Sequence, residues 1–333
     1  MLGYRDETVL VEDVHKSFGD VHALRGITFS APQGSVLGIL GPNGAGKTTT
    51  VKVLSTLIRP TSGRARIAGY DVVTHAAEVR RAIMMTGQYA ALDESLTGRE
   101  NLILFGRLMG LDRSAAKARA DALLEEFDLV DAGSRAVRHY SGGMRRRVDI
   151  ACGLVVRPEV VFLDEPTTGL DPRSRQGVWS LVAALKNQGI TVLLTTQYLE
   201  EADLLSDNII VIDKGTVVAE GSADELKART GGSFCEIVPA DPGALRSAVR
   251  TLGDLVPAEI RTEIEQHPNA DRVSIPAPDG AATLAEALRR LDGEQIPLAD
   301  IGLRRPSLDD VFLTLTGHSP SGSDDEQAEE AIP

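Results

Sequence analysis

The sequence predicts an α/β fold, a largely parallel sheet with helices on its faces, followed by a small α+β domain. Three observations carry this. Short apolar runs alternate with helical periodicity through the first two thirds of the chain, the pattern of strand–helix–strand units that build a parallel sheet. A glycine-rich octapeptide joins one such strand to the helix after it, as phosphate-binding turns do. Beyond a Thr-Gly-Gly-Ser run at Thr230, which reads as a linker, the strand and helix patterns become shorter and weaker.

Taken in order, the first strand is expected at Thr8 to Val14 and the next at Ser35 to Leu40. There SVLGIL supplies the continuous apolar run of a strand covered on both faces. Helical periodicity runs from Lys47 to Ile58. Between Leu96 and Asp149 only helical patterns occur: Glu100 to Met109, Ser114 to Phe127, and a segment starting near Ser141. A helical subdomain at about 89–150 is therefore expected inside the α/β domain, as a second lobe able to move separately. Strands return at Val160 to Leu163, Ile190 to Thr195 and Asn208 to Ile212, with a helix at Ser174 to Asn187. Past the linker, strands are expected at Phe234 to Val238, Arg272 to Ile275 and Ala299 to Arg304. Helices alternate with them at Pro242 to Leu252, Ala281 to Leu291 and Ser307 to Leu315. The expected organisation is an N-terminal tail at 1–7, a main domain at 8–230, a small accessory domain at 233–317 and a disordered tail at 318–333. Asp324, Asp325, Glu326, Glu329 and Glu330 make that tail acidic.

Composition narrows the function classes. With 42% apolar and 25% charged residues, the chain can bury a sizeable core. Its apolar runs last a few residues, far from the roughly 20 that span a bilayer. The opening MLGYRDETVL lacks a basic-then-apolar pattern, so no cleaved signal is expected. A net charge of −13 opposes nonspecific nucleic-acid binding, which needs a basic footprint. Two separate cysteines and six scattered histidines form neither a disulfide framework nor a metal-ligand spacing.

The residues that carry chemistry begin with GPNGAGKT, from Gly41, Pro42, Asn43 and Gly44 through Ala45 and Gly46 to Lys47 and Thr48. It matches G-x-x-x-x-G-K-[ST] in the context that such a motif needs, after a strand and before a helix. Glycines let backbone N–H groups turn onto phosphates, the helix N-terminus adds positive charge, and Lys47 neutralises the β and γ oxygens of ATP. The Thr48 hydroxyl, followed by Thr49, is the expected Mg2+ ligand. Downstream, VVFLDE ends a buried strand in Asp164 and Glu165. After a phosphate loop these read as a holder of Mg2+ through water and a general base for the attacking water. Ser141, Gly142 and Gly143 open a further helix with a second anion-ready N-terminus; by itself such a segment reads as a helix cap.

These motifs together resemble the ATP-binding subunits of ABC transporters, over about Val9 to Ala228. The resemblance implies a P-loop nucleotide-binding domain with a helical subdomain. GPNGAGKT stands as its Walker A, VVFLDE as its Walker B, and SGGM at Ser141 to Met144 as its signature, with Tyr140 and Met144 departing from the usual Leu and Gln. Gly169 to Pro172 resembles the D-loop, placing Asp171 near nucleotide, and Gln88 stands where the family has its Q-loop glutamine beside Mg2+. Phe18 falls where an aromatic stacks on adenine; its alternative is a core phenylalanine. In this family two nucleotide domains close head to tail, which turns Ser141 to Gly143 from a cap into a γ-phosphate ligand for the partner of a nucleotide-dependent homodimer. Where the family's switch histidine is expected, TTQYLEEAD supplies Gln197, whose amide can donate to a γ-phosphate but cannot take a proton.

TTQYLEEAD, YSGGMRRR, SFCEIVP and ADIGLRRPSLDDVFL are similar to the daunorubicin-resistance branch of the family. That similarity implies an ATPase peripheral to the cytoplasmic face of the membrane, paired with multi-pass permease subunits of the DrrB and DrrC type. The implied cargo is amphipathic: an anthracycline-type drug, or a cell-envelope lipid such as a phthiocerol dimycocerosate. Two other readings compete, a soluble ABC ATPase acting on ribosomes or DNA and a non-hydrolysing ATP-gated module. The single nucleotide domain without a heptad arm opposes the first, and Glu165 the second.

Overall fold

The computed structural model describes residues 7–87, 92–229, 232–266, 270–304 and 307–316. The chain divides into two compact units, Met1–Ala223 and Asp224–Pro333.

The first unit opens with β1 (Glu7–Phe18) and β2 (Val21–Pro32), an antiparallel hairpin with Val11 opposite Phe29. β3 (Val36–Leu40) is buried at every position and leads into α1 (Lys47–Leu54). β4 (Ser62–Ile67) and β5 (Tyr70–Asp71) follow, then α2 (Ala76–Ala82) and β6 (Ile83–Thr86). Next come α3 (Gly98–Leu108), α4 (Arg113–Glu126) and α5 (Gly142–Gly153), with single 3-10 turns between the last two. β7 (Val160–Asp164), α6 (Pro172–Asn187), β8 (Thr191–Thr196), α7 (Leu199–Leu205), β9 (Asn208–Asp213) and β10 (Thr216–Gly221) complete the unit.

Two sheets result. Six strands lie in the order β10-β9-β3-β8-β7-β6, parallel except for β10. Alternate residues of these strands enter two cores. Val36, Val161, Leu163, Val192 and Leu194 pack with residues of α4, α5 and α6. Leu37, Ile39, Phe162, Leu193 and Ile210 pack with residues of α1, β1 and β2.

The second sheet is antiparallel, in the order β2-β1-β4-β5, where the sequence suggested only a first strand. In β2 the buried residues are Leu24, Ile27, Phe29 and Ala31, so the alternation changes phase between 24 and 27. Gly26 sits at that break with φ 85°, opposite a register shift between Val14 and His15. A bulge of this kind hides the period-2 signal. β4 shows little signal because Ala65 and Ile67 are its only buried residues. α1 stops at Leu54, one turn short of the expected Ile58, since Thr56 takes a left-handed φ of 66°.

α8 (Ala223–Ala228) leads into the second unit, which contains β11 (Phe234–Pro239), α9 (Leu245–Leu252), α10 (Ala258–Gln266) and β12 (Val273–Pro276). α11 (Ala281–Gly293), β13 (Leu298–Arg304) and α12 (Leu308–Thr316) end it. Its three strands form an antiparallel sheet, β12-β11-β13, over a core including Cys235, Ile237, Ala248, Leu252, Ile275 and Leu291. α10 was not expected from the sequence. No helix among the described residues is long and apolar enough to cross a membrane.

Candidate active site

Four parallel strands carry four segments to one edge of the six-stranded sheet. β3 runs Leu40 into Gly41, β7 runs Asp164 into Glu165, β8 runs Thr196 into Gln197, and β6 runs Thr86 into Gly87. In register Leu40 faces Thr196, Asp164 faces Thr195 and Thr86 faces Leu163, so the four carboxyl ends are level. Open α/β sheets bind ligands at this edge.

The loop from Gly41 to Gly46 has a shape that only glycine permits at two positions. A Cβ on Gly41 would lie 2.3 Å from the Ile212 carbonyl oxygen. Gly46 caps α1 with φ 111°, and its Cβ would meet the Ala23 carbonyl at 2.9 Å. Ala45 is buried, Pro42, Thr48 and Thr49 are half-buried, and Asn43 and Gly44 are exposed. Lys47 is 5% exposed, and its ammonium donates to the carbonyls of Gly41 at 2.7 Å and Pro42 at 3.0 Å. The same ammonium lies 3.9 Å from Glu165 Oε1. Burial pushes Lys47 below the ordinary lysine range, while the charges of Glu165 and Asp164 oppose that shift.

Thr195 organises the acidic pair. Asp164 is 3% exposed and accepts the Thr195 hydroxyl proton at 2.5 Å. The Glu165 N–H reaches both the carbonyl and the hydroxyl oxygen of Thr195 at 3.1 Å. Glu165 itself has φ 46°, left-handed for a residue with a side chain, at a cost of order 1–3 kcal/mol that surrounding contacts must hold in place. Thr168 donates to Glu165 Oε2 at 3.4 Å. Nothing in the sequence marked Thr195 or Thr168; the role of Thr195 follows from strand register, that of Thr168 from the turn after β7.

Ser141 caps α5, its hydroxyl accepting the Met144 N–H at 3.3 Å, and Ser141 and Gly142 are exposed. Among the described residues no hydrogen bond or ion pair joins Ser141–Gly143 to the Gly41 loop of the same chain. Tyr140 is buried, donates its hydroxyl proton to the Ala132 carbonyl at 2.7 Å, and stands against Gly98, where an added Cβ would lie 2.3 Å from that hydroxyl. This wedge is the structural use of the tyrosine that replaces the usual leucine. Asp171 caps α6, accepting from the Ser174 N–H at 3.0 Å and hydroxyl at 2.6 Å, and these bonds hold its carboxyl below the usual range.

Phe18, at the end of β1, is 50% exposed with the Lys16 ammonium 4.8 Å from its ring centroid. The core alternative for this residue therefore falls. Gln197 is half-buried between β8 and α7, next to Tyr198, on whose ring the Arg175 guanidinium stacks at 4.9 Å. Gln88 lies outside the described residues. Two charged residues with little exposure were missed in the sequence. Glu201 on α7 is fully buried and accepts from Trp179 Nε1 at 3.1 Å. Arg146 on α5 reaches Thr86, Gly87 and Pro166. Their signals were a carboxylate in the second half of TTQYLEEAD and a triple arginine, both of which read as solvated charge.

Comparison with known proteins places this geometry among relatives. The family model described as ABC transporter matches residues 24–168. The doxorubicin resistance ATP-binding protein DrrA of Mycobacterium tuberculosis (strain ATCC 25618 / H37Rv) is 60% identical over 313 residues, covering 93% of this chain and 94% of that protein. The daunorubicin resistance ATP-binding protein DrrA3 of Streptomyces coeruleorubidus is 52% identical, covering 98% of this chain and 99% of that protein. Among solved structures, a dimeric ATP-binding cassette in a post-hydrolysis state with ADP and phosphate is 26% identical, with a TM-score of 0.58. It covers 64% of this chain and 98% of its own.

Proposed function

The chain belongs to the ABC transporter ATP-binding proteins of the DrrA drug-resistance group, and from that premise we propose that it hydrolyses Mg2+-bound ATP to drive efflux of an amphipathic compound. ATP hydrolysis coupled to transport is the activity of such subunits, which dimerise and work with membrane permeases. The single observation that carries the catalytic reading is the 3.9 Å approach of Lys47 to Glu165. It brings a phosphate-binding cation and a candidate base together from segments more than a hundred residues apart.

The residues fit a nucleotide. A glycine-shaped loop ahead of α1 offers backbone N–H groups, and Lys47 supplies a buried positive charge for the β and γ phosphates. They also fit Mg2+, which takes hard oxygen donors and keeps waters and phosphate oxygens in its shell, so one or two protein ligands suffice. Thr48, the buried Asp164 and Gln88 are the proposed ligands. When bound, the ion would neutralise charge on the transferred phosphoryl group. Glu165 orients the attacking water and accepts its proton; Gln197 donates its amide to the γ-phosphate without changing charge. Phe18 stacks on adenine through its exposed face. Asp171 shapes the dimer junction, and Ser141, Gly142 and Gly143 close the partner's site, a reading supported by the exposure of Ser141 and Gly142 at a helix start.

The proposed partners are multi-pass permeases of the DrrB and DrrC type, with this chain peripheral on the cytoplasmic face. The proposed cargo is an anthracycline such as doxorubicin, as the relatives' names suggest, or a cell-envelope lipid such as a phthiocerol dimycocerosate. Reconstitution with the permeases, then ATP-dependent transport of each candidate, separates the two. At the site, Glu165→Gln should lower turnover by roughly 10²–10⁴ and trap an ATP-bound dimer on size exclusion. Near-normal phosphate release by that variant would overturn the assignment.

A further inference from the structure

Arg146 is the fifth residue of α5, one helical turn beyond Ser141–Gly143. Its side chain is 10% exposed, and it faces Asp149, which is 8% exposed, at 3.4 Å. The guanidinium does more than pair with that carboxylate. Nη1 donates to the Gly87 carbonyl at 2.9 Å, Nη2 to the Thr86 hydroxyl at 3.1 Å, and Nε to the Pro166 carbonyl at 3.2 Å. Thr86 ends β6, Gly87 follows it directly before Gln88, and Pro166 directly follows Glu165. β6 and β7 are parallel neighbours in register, so one rigid fork spans the carboxyl ends of two adjacent strands. Such a fork suits arginine, whose five donors lie in one plane; a lysine ammonium is a point donor on a flexible stem.

We propose that Arg146 is a positioning residue for hydrolysis: it holds the chain just after the acidic pair, and the end of the neighbouring strand β6, in register with α5. Two consequences follow from the contacts. The left-handed conformation at Glu165 is held on both sides, its own N–H by Thr195 and the chain one residue further on, at the Pro166 carbonyl, by Arg146. The N-terminus of the same helix carries Ser141–Gly143. A displacement there, when a neighbour's nucleotide docks, therefore reaches the base of this chain's own site through one side chain. This second consequence rests on the proposed function above.

Loss of Arg146 alone would take an ion-pair partner from the buried Asp149 and confuse folding with catalysis. The test therefore uses the full-length chain with Arg146→Met combined with Asp149→Asn, which removes both charges and keeps an unbranched apolar stem at 146. It also uses Arg146→Lys, which keeps the charge without the fork. For both, kcat should fall about 10- to 100-fold, the scale of a small misplacement of a catalytic group, with KM within about 3-fold of wild type. ATP affinity measured in the Glu165→Gln background should be unchanged by the added substitutions. Wild-type kcat in either variant overturns the proposal. So does a parallel loss of ATP affinity and melting temperature, which would make Arg146 a fold contact. Failure of the underlying reading shows separately, as Glu165→Gln hydrolysing ATP normally.

Discussion

Burial acts in opposite senses on two charged residues of the first unit. It depresses Lys47, which recovers part of its charge preference from Glu165 and Asp164. It raises Glu201, whose carboxyl sits among Trp179, Thr167, Thr196 and the Arg175 guanidinium. Trp179 donates to Oε1 at 3.1 Å, and the Thr196 and Thr167 hydroxyls stand beside the carboxyl. The two threonines and Arg175 favour the charged form, and desolvation outweighs them. A carboxyl with a raised folded pKa stays protonated while the unfolded chain ionises. Its contribution to stability therefore declines as pH rises above 4.5, the ordinary glutamate value, toward the raised value in the fold. Glu201→Gln keeps the acceptor for Trp179 and removes the titration. The variant should match wild type at pH 4 and exceed it in melting temperature at pH 7, with a flatter profile between. A wild-type slope retained in the variant would exclude Glu201 as its source. Glu201 was illegible in the sequence because a glutamate beside another glutamate in an amphipathic stretch looks solvated; only the packing of α6 against α7 hides it.

At the scale of elements, the contact between α5 and α6 sets how Ser141–Gly143 is presented. A Cβ on Gly143 would lie 2.2 Å from Ser174 Oγ and 2.7 Å from Ser174 Cβ, closer than atoms approach. Ser174 is tied to Asp171, so the start of α6 cannot yield without losing its cap. Gly143→Ala should then push the two helix starts apart, at about 1–3 kcal/mol of overpacking, with a drop in ATPase. Adding Ser174→Gly removes both clashing atoms and should recover most of the melting temperature despite the helix cost of glycine, about 1 kcal/mol. Equal activity and stability in wild type and Gly143→Ala would show that the contact relaxes freely. The helix starts themselves were legible, since Ser141 and Asp171 are cap residues by type. That one helix start limits the other was not, because their contact joins residues some thirty positions apart.

For the whole molecule, the cores are separate. Those of the first unit draw on residues up to Ile212, and that of the second runs from Cys235 onward. Every proposed nucleotide residue precedes Tyr198. Calorimetry of the full chain should therefore show two transitions. A nonhydrolysable ATP analogue at about 100 times its Kd should raise the first by the equivalent of about 2.7 kcal/mol and leave the second in place. A common shift of both transitions would mean that the units unfold as one.

The sequence by itself determined the features that local chemistry dictates. A phosphate loop needs glycines where a Cβ would strike backbone, as at Gly41 and Gly46; strands covered on both faces need unbroken apolar runs, as in β3 and β7; helix starts need caps. These requirements act over a few residues, so they are written in order along the chain. Only the tertiary structure decided the antiparallel sheet, where a bulge at Gly26 scrambles the alternation and β1 pairs with β4 some fifty residues away. It alone decided the left-handed turn at Glu165, the threonine that braces it and the three-way grip of Arg146. Those depend on which strands end side by side, and strand neighbours are chosen by burial of the whole sheet rather than by any segment's own pattern.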